Sequence, residues 1–223
     1  MAKKVFIGVG HGGNDPGAVA NGFKEKDLDL AIAQACNEEL VRHGVTTLMS
    51  RTKDENDSLT EEIRECNTFA PDLAVDIHNN AGGGDGAEAF HHHGGGTGKT
   101  LAGNILGEIV KIGQNSRGAK TKKNSAGRDY FGFIRETKAP AVIVECAFVD
   151  NKKDVQIIDT AAEQKAMGQA IAKGILATLG IAYKAPVTKP EKLYRVQCFA
   201  GSKAGAEILV QALKAKGFDA IIV

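Results

Sequence analysis

The sequence has almost no net charge, since 28 Lys and Arg against 27 Asp and Glu leave +1 over 223 residues. No global field draws such a chain to nucleic acid or to an anionic membrane surface, and nucleic acid is not expected as a partner. No apolar run approaches the ~18 residues of a membrane span, which argues against stable membrane insertion. Cysteine is sparse and unsuited to a metal ribbon: Cys36, Cys66, Cys146 and Cys198 form no CxxC pair and read as buried or free thiols. Residues 1–4 run straight into Val5-Phe6-Ile7 and leave no room for a signal peptide, so the expectation is a chain synthesised in the cytoplasm. What is present, 43% apolar and 25% charged residues, is the balance of a folded protein with one sizeable core and a small appendage.

Up to about residue 180, short β-branched runs alternate with helical patterns, which is the signature of an α/β domain with a central sheet. The spacing predicts strands over 5–9, 45–49, 73–77, 87–92 and 141–144. It predicts helices over 28–40, from Ser58 to 69, over 101–112, and from Thr160 to about 180; Ser58/Glu61 and Thr160/Glu163 have capping-box spacing. Residues 113–132 are polar and Gly-rich and read as a loop of the kind that carries binding contacts. Pro186, Pro190 and three lysines mark 183–192 as a semi-rigid linker. Beyond it, strand 193–198, helix 204–216 and strand 220–223 make a βαβ unit too small to bury a core alone. The expected organisation is a domain over 1–182, a linker over 183–192 and a small unit over 193–223.

Chemistry concentrates where strands are expected to end. His11 follows the first strand among Gly10, Gly12 and Gly13, which let a ligand approach the backbone. Glu25 lies at a helix start and His78 at the end of the third strand. Singly, each histidine reads as a hydrogen-bonded structural residue, and Glu25 as a charge that favours the helix dipole. Together, two His and one Glu are the ligand set of many catalytic zinc sites, which keep the fourth position for water.

Glu145 follows the wholly apolar run Ala141-Val142-Ile143-Val144; if buried it is a candidate general base, otherwise a solvated strand end. Cys146 raises a Cys–His hydrolase as a rival. Neighbours on a strand face opposite ways, so Cys146 reads instead as a buried thiol. Residues 93–100 approach a phosphate-binding loop but place His93 where Gly is required, so no nucleotide is expected. Strand alternation likewise separates His91, His92 and His93, so no three-residue chelate is expected there.

Five blocks stand in a recognisable order: His-Gly-Gly-Asn-Asp-Pro-Gly-Ala at 11–18, Glu25-Lys26-Asp27, Ser50-Arg51-Thr52-Lys53-Asp54, Asp76-Ile77-His78-Asn79-Asn80, and Val144-Glu145-Cys146-Ala147-Phe148-Val149-Asp150-Asn151. Over residues 4–180 the chain resembles the zinc-dependent N-acetylmuramoyl-L-alanine amidases of the Amidase_3 type, as found among endolysins and cell-wall amidases. The resemblance implies a mixed central sheet flanked by helices, and Zn2+ held by His11, Glu25 and His78. It also implies that Glu145 is the catalytic residue, and that the substrate is bacterial peptidoglycan, cut between N-acetylmuramic acid and L-alanine. Asn80 is a candidate neutral substrate-binding side chain.

The chain departs from the family pattern at Asp76, where Ser is frequent, and at Ala147, where Gly is usual; neither is a proposed ligand. Residues 194–220 resemble the first half of a SPOR domain, which binds glycan strands stripped of stem peptides. That implies a partial wall-binding unit, either a truncated one or one completed by a second copy in a homodimer. The alternative to the enzyme is a non-catalytic peptidoglycan-binding protein whose zinc site is structural. The missing signal peptide fits a phage lysin or a mother-cell enzyme that then acts on the cell wall.

Overall fold

The computed structural model describes residues 2–186 and 202–215. In chain order the elements are β1 (Lys4–Val9), β2 (Val19–Ala20), β3 (Phe23–Lys24), α1 (Glu25–Arg42), β4 (Thr46–Met49), α2 (Leu59–Phe69), β5 (Leu73–Asn80), β6 (Ala87–His91), α3 (Thr97–Lys111), β7 (Ser116–Lys120), α4 (Gly132–Glu136), β8 (Ala141–Phe148), α5 (Lys152–Val155), α6 (Ala161–Leu179) and α7 (Lys203–Lys214). They fall into two compact units, Met1–Lys184 and Ala185–Val223.

The first unit is built on a six-stranded sheet in the order β4-β1-β5-β8-β6-β7. Strands β4, β1, β5 and β8 are mutually parallel, β6 runs antiparallel to β8, and β7 is parallel to β6. This is the expected mixed α/β sheet flanked by helices. Period-two alternation divides its side chains. Val5, Ile7 and Val9 of β1, Val75 and Ile77 of β5, and Val142, Val144 and Cys146 of β8 join one apolar core with Leu28 and Ile32 of α1, Ile105 of α3 and Ile171 of α6. The intervening residues face the other way. There Phe6, Ala74, Ala141 and Ile143 form a smaller cluster with Cys66 of α2 and Phe133 and Ile134 of α4.

The long helices pack closely because α6 carries two glycines at the contacts. A Cβ on Gly168 would lie 2.3 Å from the Ile32 carbonyl oxygen of α1, and one on Gly174 would lie 2.4 Å from the Ile105 Cα of α3. Helix α6 starts on the predicted capping box of Thr160 and Glu163 and ends at Gly180 in the left-handed conformation.

Several elements differ from the sequence reading. Strand β5 continues to Asn80 and β8 to Phe148, so His78 and Glu145 sit within paired strands, not at their ends. Polar side chains that point off the sheet do not interrupt backbone pairing, so loss of apolar character marks no strand end here. Residues 113–132 contain β7, an edge strand with no apolar alternation because neither of its faces is buried. Strand β6 stops at His91, which frees His92 and His93 from alternation, and their rings stack with centroids 4.5 Å apart. In the second unit, α7 with its Ser202 cap matches the expected helix; the strands predicted at 193–198 and 220–223 lie outside the described residues.

Candidate metal centre

The polar half of the second sheet face is built from the ends of β1 and β5 and the start of α1. The Gly10 amide donates to the Ile77 carbonyl at 3.0 Å, which carries the β1–β5 pairing to the residue before His11. His11 itself is left-handed, with φ of 58°, and leads into a turn closed by two backbone hydrogen bonds between Gly12 and Asp15. Arg51, 2% exposed, donates to the carbonyls of Val9, Gly10 and Lys26 and so ties the end of β1 to the first turn of α1. Lys26 returns the tie by donating from Nζ to the Gly13 carbonyl and to Asp54.

These constraints bring His11, Glu25 and His78 together. Glu25 Oε1 lies 3.1 Å from His11 Nε2 and 3.2 Å from His78 Nδ1, and the two rings meet edge to face with centroids 5.1 Å apart. The outer nitrogens also have carboxylate partners: His11 Nδ1 is 2.8 Å from Asp15 Oδ2, and His78 Nε2 is 3.2 Å from Asp76 Oδ2. An imidazole anchored on a carboxylate through one nitrogen and free to offer the other is the usual outer arrangement of a metal-binding histidine. Burial pushes the Glu25 carboxyl upward, but hydrogen bonds from His11, His78 and the Ala18 amide outweigh it and hold the group at about 2. For His78, burial works against the charged ring, and Asp76 and Glu25 overcome it, raising the ring well above its ordinary value.

The donors fit a borderline divalent ion. Two imidazoles and a carboxylate match zinc chemistry. The ligand atoms of His11, Glu25, His78 and also Asp29 lie within 4.8 Å of one another. The cradle needs glycine on both sides: a Cβ on Gly10 would lie 2.5 Å from His78 Nδ1, and one on Gly17 would lie 2.7 Å from Glu25 Oε2.

Glu145 is in register with His78 of β5 on one side and Glu88 of β6 on the other, so all three share this face. Its Oε2 is buried without a hydrogen-bond partner. Burial, reinforced by Glu25, Asp76 and Glu88 against the opposing His78, pushes its carboxyl up to about 7. A cleft of about 240 Å³ opens here, lined by Gly10, His11, Glu62, Asp76, His78 and Phe133 among others. Asn80, at the end of β5, has its Nδ2 donating to Glu88 Oε1 at 3.1 Å and its Oδ1 accepting from the Ala81 amide at 2.8 Å.

The family model described as N-acetylmuramoyl-L-alanine amidase matches residues 5–177. The chain belongs to the N-acetylmuramoyl-L-alanine amidase family. It is 36% identical to the N-acetylmuramoyl-L-alanine amidase CwlM of Bacillus licheniformis, over 99% of this chain and 84% of that one. It is 35% identical to a sporulation-specific N-acetylmuramoyl-L-alanine amidase of Bacillus subtilis, over 98% of this chain and 84% of the relative. Among solved structures, Cwp6 from Clostridium difficile superposes with a TM-score of 0.79 at 39% identity, covering 80% of this chain and 30% of that one. The chain is thus a peptidoglycan amidase, a class of enzyme that acts on the cell wall.

The rival nucleophile of the amidase is out of reach of the cleft. Cys146 points from β8 into the apolar core, is fully buried, and has its thiol raised well above the ordinary range by that burial. Three buried polar residues escaped the sequence reading of the amidase site. Asp29, one helical turn after Glu25, accepts from Asn79 Nδ2 at 2.8 Å and leaves its Oδ2 unpartnered. Its signal was an acid at i+4 from a proposed ligand, on the inward face between Leu28 and Ile32. Glu62 lies beside Asp76, and burial together with that neighbouring charge raises its carboxyl well above the ordinary range. Arg51 stood inside a matched block, yet nothing in the block pointed to its four carbonyl acceptors, on Val9, Gly10, Lys26 and Lys53.

Proposed function

We propose that the amidase is a zinc hydrolase in which His11 Nε2, His78 Nδ1 and Glu25 hold the ion and Glu145 handles the proton. The carrying observation is the unpartnered Glu145 Oε2 on the same face as the converged His11–Glu25–His78 cluster. Zinc, when bound, lowers the pKa of water toward ~7 and polarises a carbonyl oxygen. Asp15 and Asp76 fix which nitrogen each ring offers. Glu145, whose buried Oε2 has no hydrogen-bond partner, takes a proton from the attacking water and delivers it to the departing L-alanine nitrogen. Asn80, held against Glu88, orients the glycan or lactyl portion.

On this reading residues 1–182 are the catalytic domain, 183–192 the linker and 193–223 a SPOR-like wall-binding unit. Dimerisation through that unit is a separate part of the proposal, and an unchanged monomer in sedimentation with and without 193–223 removes it. The chemistry is tested by mass spectrometry of purified peptidoglycan incubated with the protein, with and without a zinc chelator. New free L-alanine amines without new reducing sugar ends, abolished by chelator, are the expected result. Binding to the wall without any cut bond overturns the catalytic roles and leaves a binding protein with a structural metal.

A further inference from the structure

A second convergence of ligand atoms lies away from the cleft. Strand β6 runs antiparallel to β8, with Glu88 opposite Glu145 and His91 opposite Val142, so the turn after β6 emerges at the end of the sheet where β8 begins. There His92 Nε2 and His93 Nδ1 lie 3.0 and 2.8 Å from the same oxygen, Oδ2 of Asp129. Asp129 is 3% exposed and comes from the segment between β7 and α4. Its other oxygen accepts from the His93 amide at 2.9 Å. Arg135 Nη1 donates to the Asp129 and Tyr130 carbonyls, at 2.7 and 3.0 Å, and holds the segment in place.

We propose that His92, His93 and Asp129 form a second divalent transition-metal site, separate from the Glu25 cluster, that clasps the turn after β6 to the segment 121–131. All three ligand atoms lie within 4.8 Å of one another. The donor set of two imidazoles and one carboxylate selects zinc, cobalt or nickel over calcium and magnesium, which prefer all-oxygen ligands. Burial of Asp129 makes this more than a surface chelate: a carboxylate taken out of water needs cationic or hydrogen-bonding partners.

Loading needs a change of tautomer at both rings and no net loss of protons. In the metal-free form His92 Nδ1 accepts from the Gly94 amide at 3.0 Å, so Nε2 carries the proton that faces Asp129. When the ion takes Nε2, the proton moves through solvent to Nδ1, and the Gly94 peptide must turn away. Gly94, Gly95 and Gly96 make that turn inexpensive, the latter two already having φ of 77° and 66°. His93 exchanges in the same sense, from Nδ1–H to Nε2–H. Water fills the remaining positions, since the His92 side chain is 53% exposed.

The test is titration of chelator-stripped protein with zinc and with cobalt(II), read as ions per chain after gel filtration and as cobalt visible absorption. Two ions per wild-type chain are expected, with one in His93→Gln and one in His92→Asn, both variants keeping the wild-type hydrolysis rate. Bound metal should slow tryptic cleavage after Lys122 and Lys123 in the wild type but not in His93→Gln. Two ions in both variants, or a single wild-type ion that survives in both, overturns the site. A single wild-type ion that is lost in His93→Gln but kept in His78→Ala sustains this site and instead removes zinc from the Glu25 cluster.

Discussion

The same three parallel strands present two unlike faces. Toward α1, α3 and α6, β1, β5 and β8 show Val5, Ile7, Val75, Ile77, Val142 and Val144, all almost fully buried in one apolar core. The other face carries the smaller apolar cluster of Phe6, Ala74, Ala141 and Ile143 and also Gly8, Asp76, His78 and Glu145, and four buried acid oxygens on or beneath it, from Asp29, Glu62, Asp76 and Glu145, have no hydrogen-bond partner. Adjacent residues on one strand therefore serve opposite ends. The apolar face supplies stability, and it supports on the other a set of groups whose burial is costly unless an ion or a proton compensates them.

That contrast breaks most completely at His78. His78→Ala should lose the ion of the Glu25 cluster and activity together, seen by metal analysis as one ion fewer per chain and by product release, because it removes one of the two imidazoles proposed as ligands there. Glu145→Gln should keep the metal and lower kcat by roughly 10²–10⁴-fold, the usual span for a general acid–base group; wild-type turnover with metal in place defeats the assignment. Its neighbour Val144 gives the mirror image. Val144→Ala should cost about 1–3 kcal/mol in denaturant unfolding and leave the rate per folded molecule unchanged.

The smallest effect concerns the metal-free protein. The folded Glu145 carboxyl titrates at about 7, above its unfolded value of ~4.3. Its contribution to stability is thus intact below the unfolded value and lost as pH rises through 7. With chelator present, Glu145→Gln should be neutral near pH 4 and stabilising near pH 8 by ~1–2 kcal/mol, discounted for the water that still reaches this half-buried side chain. Equal melting curves at both pH values would show that Glu145 is not held in a desolvated state.

Part of this division was legible beforehand, because the apolar runs at 73–77 and 141–144 mark buried strands, and Asp76, His78 and Glu145 stand out within or directly after them. The helix boundaries at Ser58 and Thr160 were legible for a similar reason, since caps are local chemistry. The continuation of β5 and β8 was not, because it rests on backbone pairing that side-chain polarity does not report. Strand β7 was hidden likewise: Ser116-Arg117-Gly118-Ala119-Lys120 is a strand only because β6 offers it a free edge. His11, Glu25 and His78 stood out as residue types, whereas Asp29, Glu62 and Asp129 look in sequence like ordinary surface acids and become unusual only through tertiary burial. The clustering of His92 and His93 depended on one boundary, the end of β6 at His91, which alternation alone placed a residue too late.

Arg51 carries a consequence for how the cleft meets an ion. Its planar guanidinium joins carbonyls from the end of β1 and the start of α1, a span that the single compact charge of a lysine does not reproduce. The backbone that carries His11 and Glu25 is thereby shaped without help from a ligand. A chelated molecule should therefore keep this backbone, and reloading should be a matter of diffusion and ligand exchange instead of refolding.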